Sequence, residues 1–428
     1  MKKIYVLSAV LTAFFLQAQF TVTVQTPADF KEQDAILYTL NGSKDIIASK
    51  EQSKNNVWTF KYPTSYSGMM KIYFPNTNNT FSFISENKNV SVKLVTENNK
   101  VKDIIYQDEA NDLMSKSQEG SQKKELILPA LTQIKEYYKE NTDFGKALRT
   151  EINRLSGGLN SVDQAQHPFI YYYNTNYSKF LSADSSKKVT QDDIVNFLDK
   201  SSDLLETSSL LRPILVAYLN TGGNTNVGAS VDKLLDTLKV ETPRGQTVLS
   251  ELIDIFDVYD MNEFKIKYLN LAKGLKCTIN DRLASTIKSN SNVEMGATFP
   301  NNKFQSPVNT TAKSIYDVKA DKKVIVFWSS TCSHCESELP KLLEKYNELK
   351  GKNIQIVGLS LDTDKDSYSK KISVFPWIND SELKGWNSSY VDTYNVHATP
   401  TYFILDANNK IISKPDHVGD VLEYFKIK

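Results

Sequence analysis

The chain has 428 residues, too many for one compact domain and enough for about three at roughly 150 residues each. Hydrophobic residues make up 40% and charged residues 24%, which argues against wholesale disorder. Lys and Arg total 51 against 50 Asp and Glu; a formal charge of +1 offers no field to attract DNA or RNA, so no nucleic-acid partner is expected. Three cysteines exclude a disulfide-stapled scaffold, and four histidines leave little material for a metal site, so none is expected.

In chain order, the first feature is an address. Lys2 and Lys3 precede an apolar run from Ile4 to Leu16, followed by Gln17-Ala18-Gln19. This is the pattern of a secretory signal peptide over residues 1–19, with a mature start near Phe20. The run is shorter than the about 20 residues that a membrane span needs. No Cys lies near the cleavage region, so no cysteine-borne lipid anchor is expected. The expected destination is the periplasm or cell envelope, where disulfides persist.

Residues 20–107 read as a β-rich domain. Phe20, Val22 and Val24 alternate with polar residues, as do Phe81-Ser82-Phe83 and Val90 to Leu94. Asn-rich clusters at Asn41-Gly42, Asn55-Asn56, Asn76 to Asn79, Asn87 to Asn89 and Asn98-Asn99 mark turns. An all-β sandwich of about seven short strands follows.

Residues 108–288 change to a helical period. Leu126, Ile127, Leu131, Ile134 and Tyr138 fall near one face, as do Ile194, Leu198, Leu204 and Leu205, then Val231, Leu234, Leu235 and Leu238. Ser201-Ser202 and Thr221 to Asn224 mark breaks, and Thr242-Pro243 a helix start. Tyr171-Tyr172-Tyr173 is expected to pack between helices. Cys277 is expected to be a buried helix residue. Nothing between residues 20 and 288 points to chemistry.

Ser289 to Asn292 reads as a linker into a final domain, 289–428, in which strands and helices alternate around a sheet with a parallel core. Lys323 to Trp328 is a buried-strand pattern, Glu336 to Leu349 a helix, and Ile354 to Leu359 and Tyr402 to Leu405 further strands. Lys410 to Ile412 pairs back across Ala407-Asn408-Asn409.

The chemistry lies in Cys332-Ser333-His334-Cys335, after the first of these strands and at the opening of its helix. A helix start directs unpaired backbone N–H groups and the positive end of the dipole at the first sulfur, which favours thiolate at Cys332. A protonated His334 would favour it further. The spacing lets Cys335 reach Cys332 as a reversible disulfide. Zinc would need two more ligands, and no second Cys or His pair exists. Haem attachment would need His where Glu336 stands. A peroxiredoxin-like site would need Pro where Ile325 stands. A merely structural disulfide remains the plain alternative.

With these features in place, residues 293–428 resemble the thioredoxin superfamily, and within it the extracytoplasmic TlpA/ResA branch. The match includes Gly296 and Pro300, the strand Val324 to Trp328, Pro340 five residues after Cys335, Thr399-Pro400, and Gly419. Pro400 lies 68 residues after Cys332, which suits the insertion of that branch. Plain thioredoxins carry a buried Asp where this chain has Val326; the branch instead carries Glu at the position of Glu338. The resemblance implies catalytic Cys332 and Cys335, with Glu338 taking the proton of Cys335. It also implies a cis Thr399-Pro400 bond facing the cysteines, and a substrate surface that includes Trp328, His334, Thr399 and Pro400. The implied activity is thiol–disulfide exchange with disulfide- or thiol-bearing proteins, as reductant, fed by a membrane electron-transfer partner. The redox-active disulfide takes the place of any bound cofactor. His334 between the cysteines is similar to the oxidant DsbA and pulls the other way. The layout of signal peptide, small β domain, helical middle and TlpA-like end also resembles secreted bacterial thiol–disulfide proteins. A different class of function stays open: a binding or assembly protein whose β and helical modules engage a partner, with a non-catalytic thioredoxin-like domain.

Overall fold

The computed structural model describes residues 19–156, 162–182, 189–222 and 226–427. Most of the signal-peptide segment, residues 1–18, and Gly223-Asn224 of the break after Thr221 lie outside the described residues.

Eight strands precede the helices: β1 (Phe20–Gln25), β2 (Asp34–Asn41), β3 (Lys44–Gln52), β4 (Val57–Tyr62), β5 (Ser67–Phe74), β6 (Asn79–Glu86), β7 (Val90–Glu97) and β8 (Lys100–Tyr106). They form two four-stranded sheets, ordered β4-β1-β7-β8 and β3-β2-β5-β6. Alternation builds the core. Val22 and Val24 of β1, Trp58 and Phe60 of β4, and Val92 and Leu94 of β7 are fully buried, and meet Leu37, Ile72 and Phe74 in one cluster. The turn clusters work as their chemistry dictates: Asn55, Asn56, Asn78, Asn87, Asn98 and Asn99 all adopt positive φ, a conformation that Asn tolerates better than other non-glycine residues.

Three helices follow: α1 (Glu109–Lys135), α2 (Asp143–Ser156) and α3 (Pro168–Phe180). The start of α1 is fixed by Asp108, whose side chain accepts from Asn111 N–H, and by Asn111, whose amide pairs with both N–H and C=O of Ile84. The expected apolar face further along is not a core face. Buried residues of α1 lie at Ala110, Asn111, Met114 and Ser117, whereas Leu126 is 77% and Ile127 42% exposed. The helical period was legible; what it packs against was not. Tyr171 is also partly exposed, at 38%.

The helical series continues with α4 (Gln191–Lys200), α5 (Leu204–Thr207), α6 (Leu211–Thr221), α7 (Val227–Leu238), α8 (Pro243–Val258), α9 (Asn262–Lys273) and α10 (Asp281–Asn292). Helix α8 starts at the expected Thr242-Pro243, with Thr242 accepting from Gly245 N–H, and runs through the middle with both faces buried. Ser289 to Asn292 is not a linker: it is the last turn of α10. Asn290 is buried and donates to Thr286 C=O within the helix, and Asn292 donates to Thr393 C=O, so polar side chains that suggested a loop are satisfied by the helix itself and by a tertiary anchor. Cys277 is half-buried in the connection between α9 and α10, not in a helix.

The last part holds β9 (Lys322–Trp328), α11 (Ser333–Glu344), α12 (Tyr346–Gly351), β10 (Ile354–Ser360), α13 (Lys365–Ile372), β11 (Ile378–Ser381), α14 (Ser389–Thr393), β12 (Thr401–Asp406), β13 (Ile411–Ser413) and α15 (Val418–Tyr424). The sheet order is β11-β10-β9-β12-β13. β11, β10 and β9 run parallel, and β12 and β13 are antiparallel additions. Val324 and Val326 of β9 face one apolar layer with α11 and α15; Ile325 and Phe327 face another with Tyr390 and Tyr394. The single helix expected over 336–349 is two, broken at Lys345, and the first starts earlier because Cys332 caps it.

Contacts along the chain group 1–40 with 45–186, and 41–44 with 187–428. The helical segment is thus shared: α1 to α3 belong with the sandwich, and α4 to α10 with the final α/β part.

Candidate active site

Strand β9 ends at Trp328, and the chain must then turn to start α11 at Ser333. The turn is held by a carboxylate. Asp362, two residues beyond the neighbouring β10 and only 3% exposed, accepts from Ser330 N–H at 2.9 Å, Ser330 Oγ at 2.6 Å and Ser329 Oγ at 3.1 Å. Its other oxygen accepts from Ser360 Oγ at 2.6 Å. A buried carboxylate is stable only with its lone pairs filled, and here four donors fill them. Replacing Asp362 with Ala strands these donors and is expected to cost about 3 kcal/mol in urea unfolding; an unchanged midpoint would show that the turn stands without it.

Cys332 is the N-cap of α11: its sulfur accepts from Cys335 N–H at 3.4 Å. Its thiol lies 3.1 Å from Thr399 C=O. The Thr399-Pro400 bond is cis. Cys335 lies one turn into the helix, 2% exposed, in the apolar layer with Trp328 and Leu339. Both cysteines are free thiols.

The two thiols differ in the direction that exchange requires. Burial opposes ionisation of Cys332, but hydrogen bonds from the Thr399 side chain and from the backbone N–H groups of Cys335 and His334 outweigh it and hold the thiol below its ordinary value. Burial pushes the Cys335 thiol up to about 12, and the adjacent Cys332 adds to that. What reaches Cys332 from His334 is the backbone N–H; the side chain is exposed.

Glu338 lies on α11 three residues beyond Cys335, on the same side of the helix. Its side chain is 12% exposed. One oxygen accepts from Tyr402 O–H and Val418 N–H, both at 3.0 Å, and the other lies 3.1 Å from His417 Nδ1. Tyr402 is buried between the cysteines and Glu338, and burial with these neighbours raises its phenol far above its ordinary value. Trp328 packs beside the cysteines but is only 1% exposed, so its ring shapes the site from beneath. With Leu339, Leu343, Val374 and Phe375 it lines a cavity of about 130 Å³ next to Cys335, edged by the Glu336–Lys371 ion pair.

Sequence reasoning placed Cys332, Cys335, Glu338, Thr399, Pro400, Trp328 and His334 in one neighbourhood, and the structure brings them together, with Trp328 beneath the surface. It missed Asp362, Tyr402 and His417. A lone Asp after a buried strand was the only available signal for the first.

A parallel-centred sheet, a Cys-x-x-Cys helix start and a cis-proline opposite it define a thioredoxin-like domain. Residues 321–411 match the thioredoxin-like family model, and this C-terminal segment is a TlpA/ResA-like member of the thioredoxin superfamily. Among its relatives are the thiol-disulfide oxidoreductase ResA of Bacillus cereus, 28% identical over 103 residues, 23% of this chain and 56% of that protein, and the ResA of Bacillus anthracis, 30% identical over the same length and shares. The chain thus spans about half the length of the curated relatives it matches. A solved thioredoxin domain of a thiol-disulfide oxidoreductase from Bacteroides vulgatus is 25% identical, covering 31% of this chain and 98% of that one, with a TM-score of 0.28. Among the described residues, no helix is long and apolar enough to cross a membrane.

Proposed function

We propose that this chain is an exported thiol–disulfide oxidoreductase that exchanges disulfides with partner proteins through Cys332 and Cys335, acting as a reductant. The observation that carries the reading is the paired environment of the two sulfurs: Cys332 caps a helix and is held below its ordinary value, and Cys335, buried behind it, is pushed above its own. The Cys332 thiolate attacks one sulfur of the partner's disulfide, breaking that bond and releasing one partner thiolate. Cys335 then loses its proton and attacks Cys332 Sγ. The Cys332–Cys335 disulfide forms, the second partner sulfur leaves as thiolate, and two electrons have passed to the partner. A membrane electron-transfer partner would return the pair to the dithiol. No bound cofactor is required by this scheme. The signal-peptide pattern of residues 1–19 supports work in the periplasm or cell envelope.

Glu338 is suited to accept the Cys335 proton. Tyr402 O–H and Val418 N–H both donate to one oxygen, and the other, which faces His417 Nδ1, keeps room to accept a proton. Glu338→Gln is expected to leave the attack by Cys332 intact and to slow release of the mixed disulfide about 100-fold, measured by stopped-flow; equal rates for both steps in variant and parent would remove Glu338 from the mechanism.

The experiment that tests the proposal is capture. A Cys335→Ala chain, expressed with its N-terminal segment, should accumulate mixed disulfides with envelope proteins, which reducing agent releases; absence of any dithiothreitol-sensitive adduct would overturn the reading. A second reading draws on the exposed apolar side chains of the α1 region, Leu126 at 77% and Tyr137 at 86%: a binding module that engages a partner independently of the cysteines. Partner binding that survives Cys332→Ser but is lost on Leu126→Asp would favour this second reading.

A further inference from the structure

The loop that carries Thr399 and Pro400 does not stand alone. Its preceding stretch, Thr393 to His397, is gripped from the helical side. Asp257, in the last turn of α8, accepts from Asn395 Nδ2 and lies 3.3 Å from His397 Nε2. Asn292, at the end of α10, donates to Thr393 C=O at 3.0 Å, and buried Asn290 of α10 lies within reach of Asn395. Asp257 is itself fixed by Lys265 of α9 at 2.6 Å, with both side chains more than four-fifths buried. Lys414, after β13, adds positive charge on the same side. Tyr394, between these anchors, is buried, and its hydroxyl donates to Pro300 C=O at 2.8 Å.

Three features raise this above ordinary packing. The anchored residues end two positions before Thr399, whose carbonyl meets Cys332 Sγ. The anchor is a carboxylate with several partners, so it fixes direction as well as distance. All the groups belong to one compact unit of the chain.

We infer that Asp257 of the helical segment is a positioning residue for the Thr399-Pro400 loop, so that α8 and α10 set the geometry in which Cys332 and an incoming peptide disulfide meet. The inference rests on the exchange function proposed above, and gives α8 and α10 a part in the site that their own sequence does not reveal. Releasing the loop withdraws the Thr399 side chain, whose hydrogen bond favours the Cys332 thiolate, and loosens the surface on which an extended substrate segment lies.

The test uses the full chain and two readouts. The first is the pH dependence of Cys332 alkylation by iodoacetamide in a Cys335→Ala background, which needs no exchange activity. The second is the kcat and KM for reduction of a disulfide-bonded peptide by the chain with both cysteines. Asp257→Ala should move the alkylation midpoint upward and raise KM about fivefold or more with a smaller change in kcat. His397→Ala, at a partly exposed position that does not endanger folding, should move both in the same direction by less. Asp257→Asn keeps an acceptor for Asn395 Nδ2 and should restore both to within about twofold of the parent. An alkylation midpoint and KM unchanged in both Ala variants would overturn the inference. Should the parent show no peptide reduction, the exchange reading fails and the alkylation midpoint alone decides: a shift supports the positioning role, no shift refutes it.

Discussion

Replacing Cys332 with Ser is expected to abolish reduction of a protein disulfide, while replacing Cys335 converts the protein into a trap. The asymmetry follows from the site. Only the Cys332 sulfur is partly exposed, and it sits at the N-cap of α11, where it accepts from Cys335 N–H. Cys335 is 2% exposed and cannot meet a partner's disulfide directly. Ser at 332 offers a hydroxyl that stays protonated at neutral pH, so the loss should exceed a factor of about 10³. Ala at 335 leaves attack intact and removes the resolving sulfur, so a mixed disulfide forms and persists. The check is reduction of insulin-like substrates by turbidity, with non-reducing gels for adducts. A Cys332→Ser chain that still reduces the substrate would move the chemistry elsewhere.

The second large effect is a separation of the two thiols in pH. Cys332 is held below the ordinary thiol value by hydrogen bonds that outweigh its partial burial, so its alkylation midpoint should lie under that of free cysteine. Cys335, pushed up to about 12, should hold only about one part in 10⁴ as thiolate at pH 8 and react correspondingly slowly. The sign is fixed by the environments: lowering a thiol's pKa enlarges its thiolate fraction at a given pH, and raising it does the reverse. Mass spectrometry of alkylated peptides across pH 4–10 would measure both. Equal labelling of the two sulfurs at pH 7 would contradict the assigned roles. The same contrast motivates the proposed role of Glu338, because a thiol this reluctant to ionise calls for a proton acceptor before it can resolve the mixed disulfide.

The legible part of the molecule is the part built from local rules. Alternation in β1, β6 and β7, Asn at positive φ in the turns, Thr242-Pro243 at the start of α8, and Cys332-x-x-Cys335 after a buried strand each write their structure within a few residues. What stayed hidden depends on long-range pairing. Asp362 reaches Ser330 across 32 positions, Tyr402 and His417 reach Glu338 across 64 and 79, and Asp257 reaches Asn395 across 138. Nothing local marks such residues, because a buried acceptor looks like a surface one until its donors are known. Ser289 to Asn292 looked like a linker because its polar atoms are satisfied by Thr286 and Thr393 and not by water. The shared face of α1 was legible, but periodicity does not report what covers it, and Leu126 and Ile127 are exposed.

The helical segment changes most in meaning. Its sequence holds no motif, yet α8 and α10 end where the Thr399-Pro400 loop begins, and Asp257, Asn290 and Asn292 are the residues that meet it.

The most direct test of the central claim is the reduction potential of the Cys332–Cys335 pair in the full chain, titrated against glutathione or dithiothreitol buffers with thiol labelling as readout. An exchanging pair of reductant character predicts a reversible two-electron transition between about −300 and −200 mV. A disulfide that resists reduction below about −300 mV, or a pair that forms no reversible disulfide at all, would contradict it.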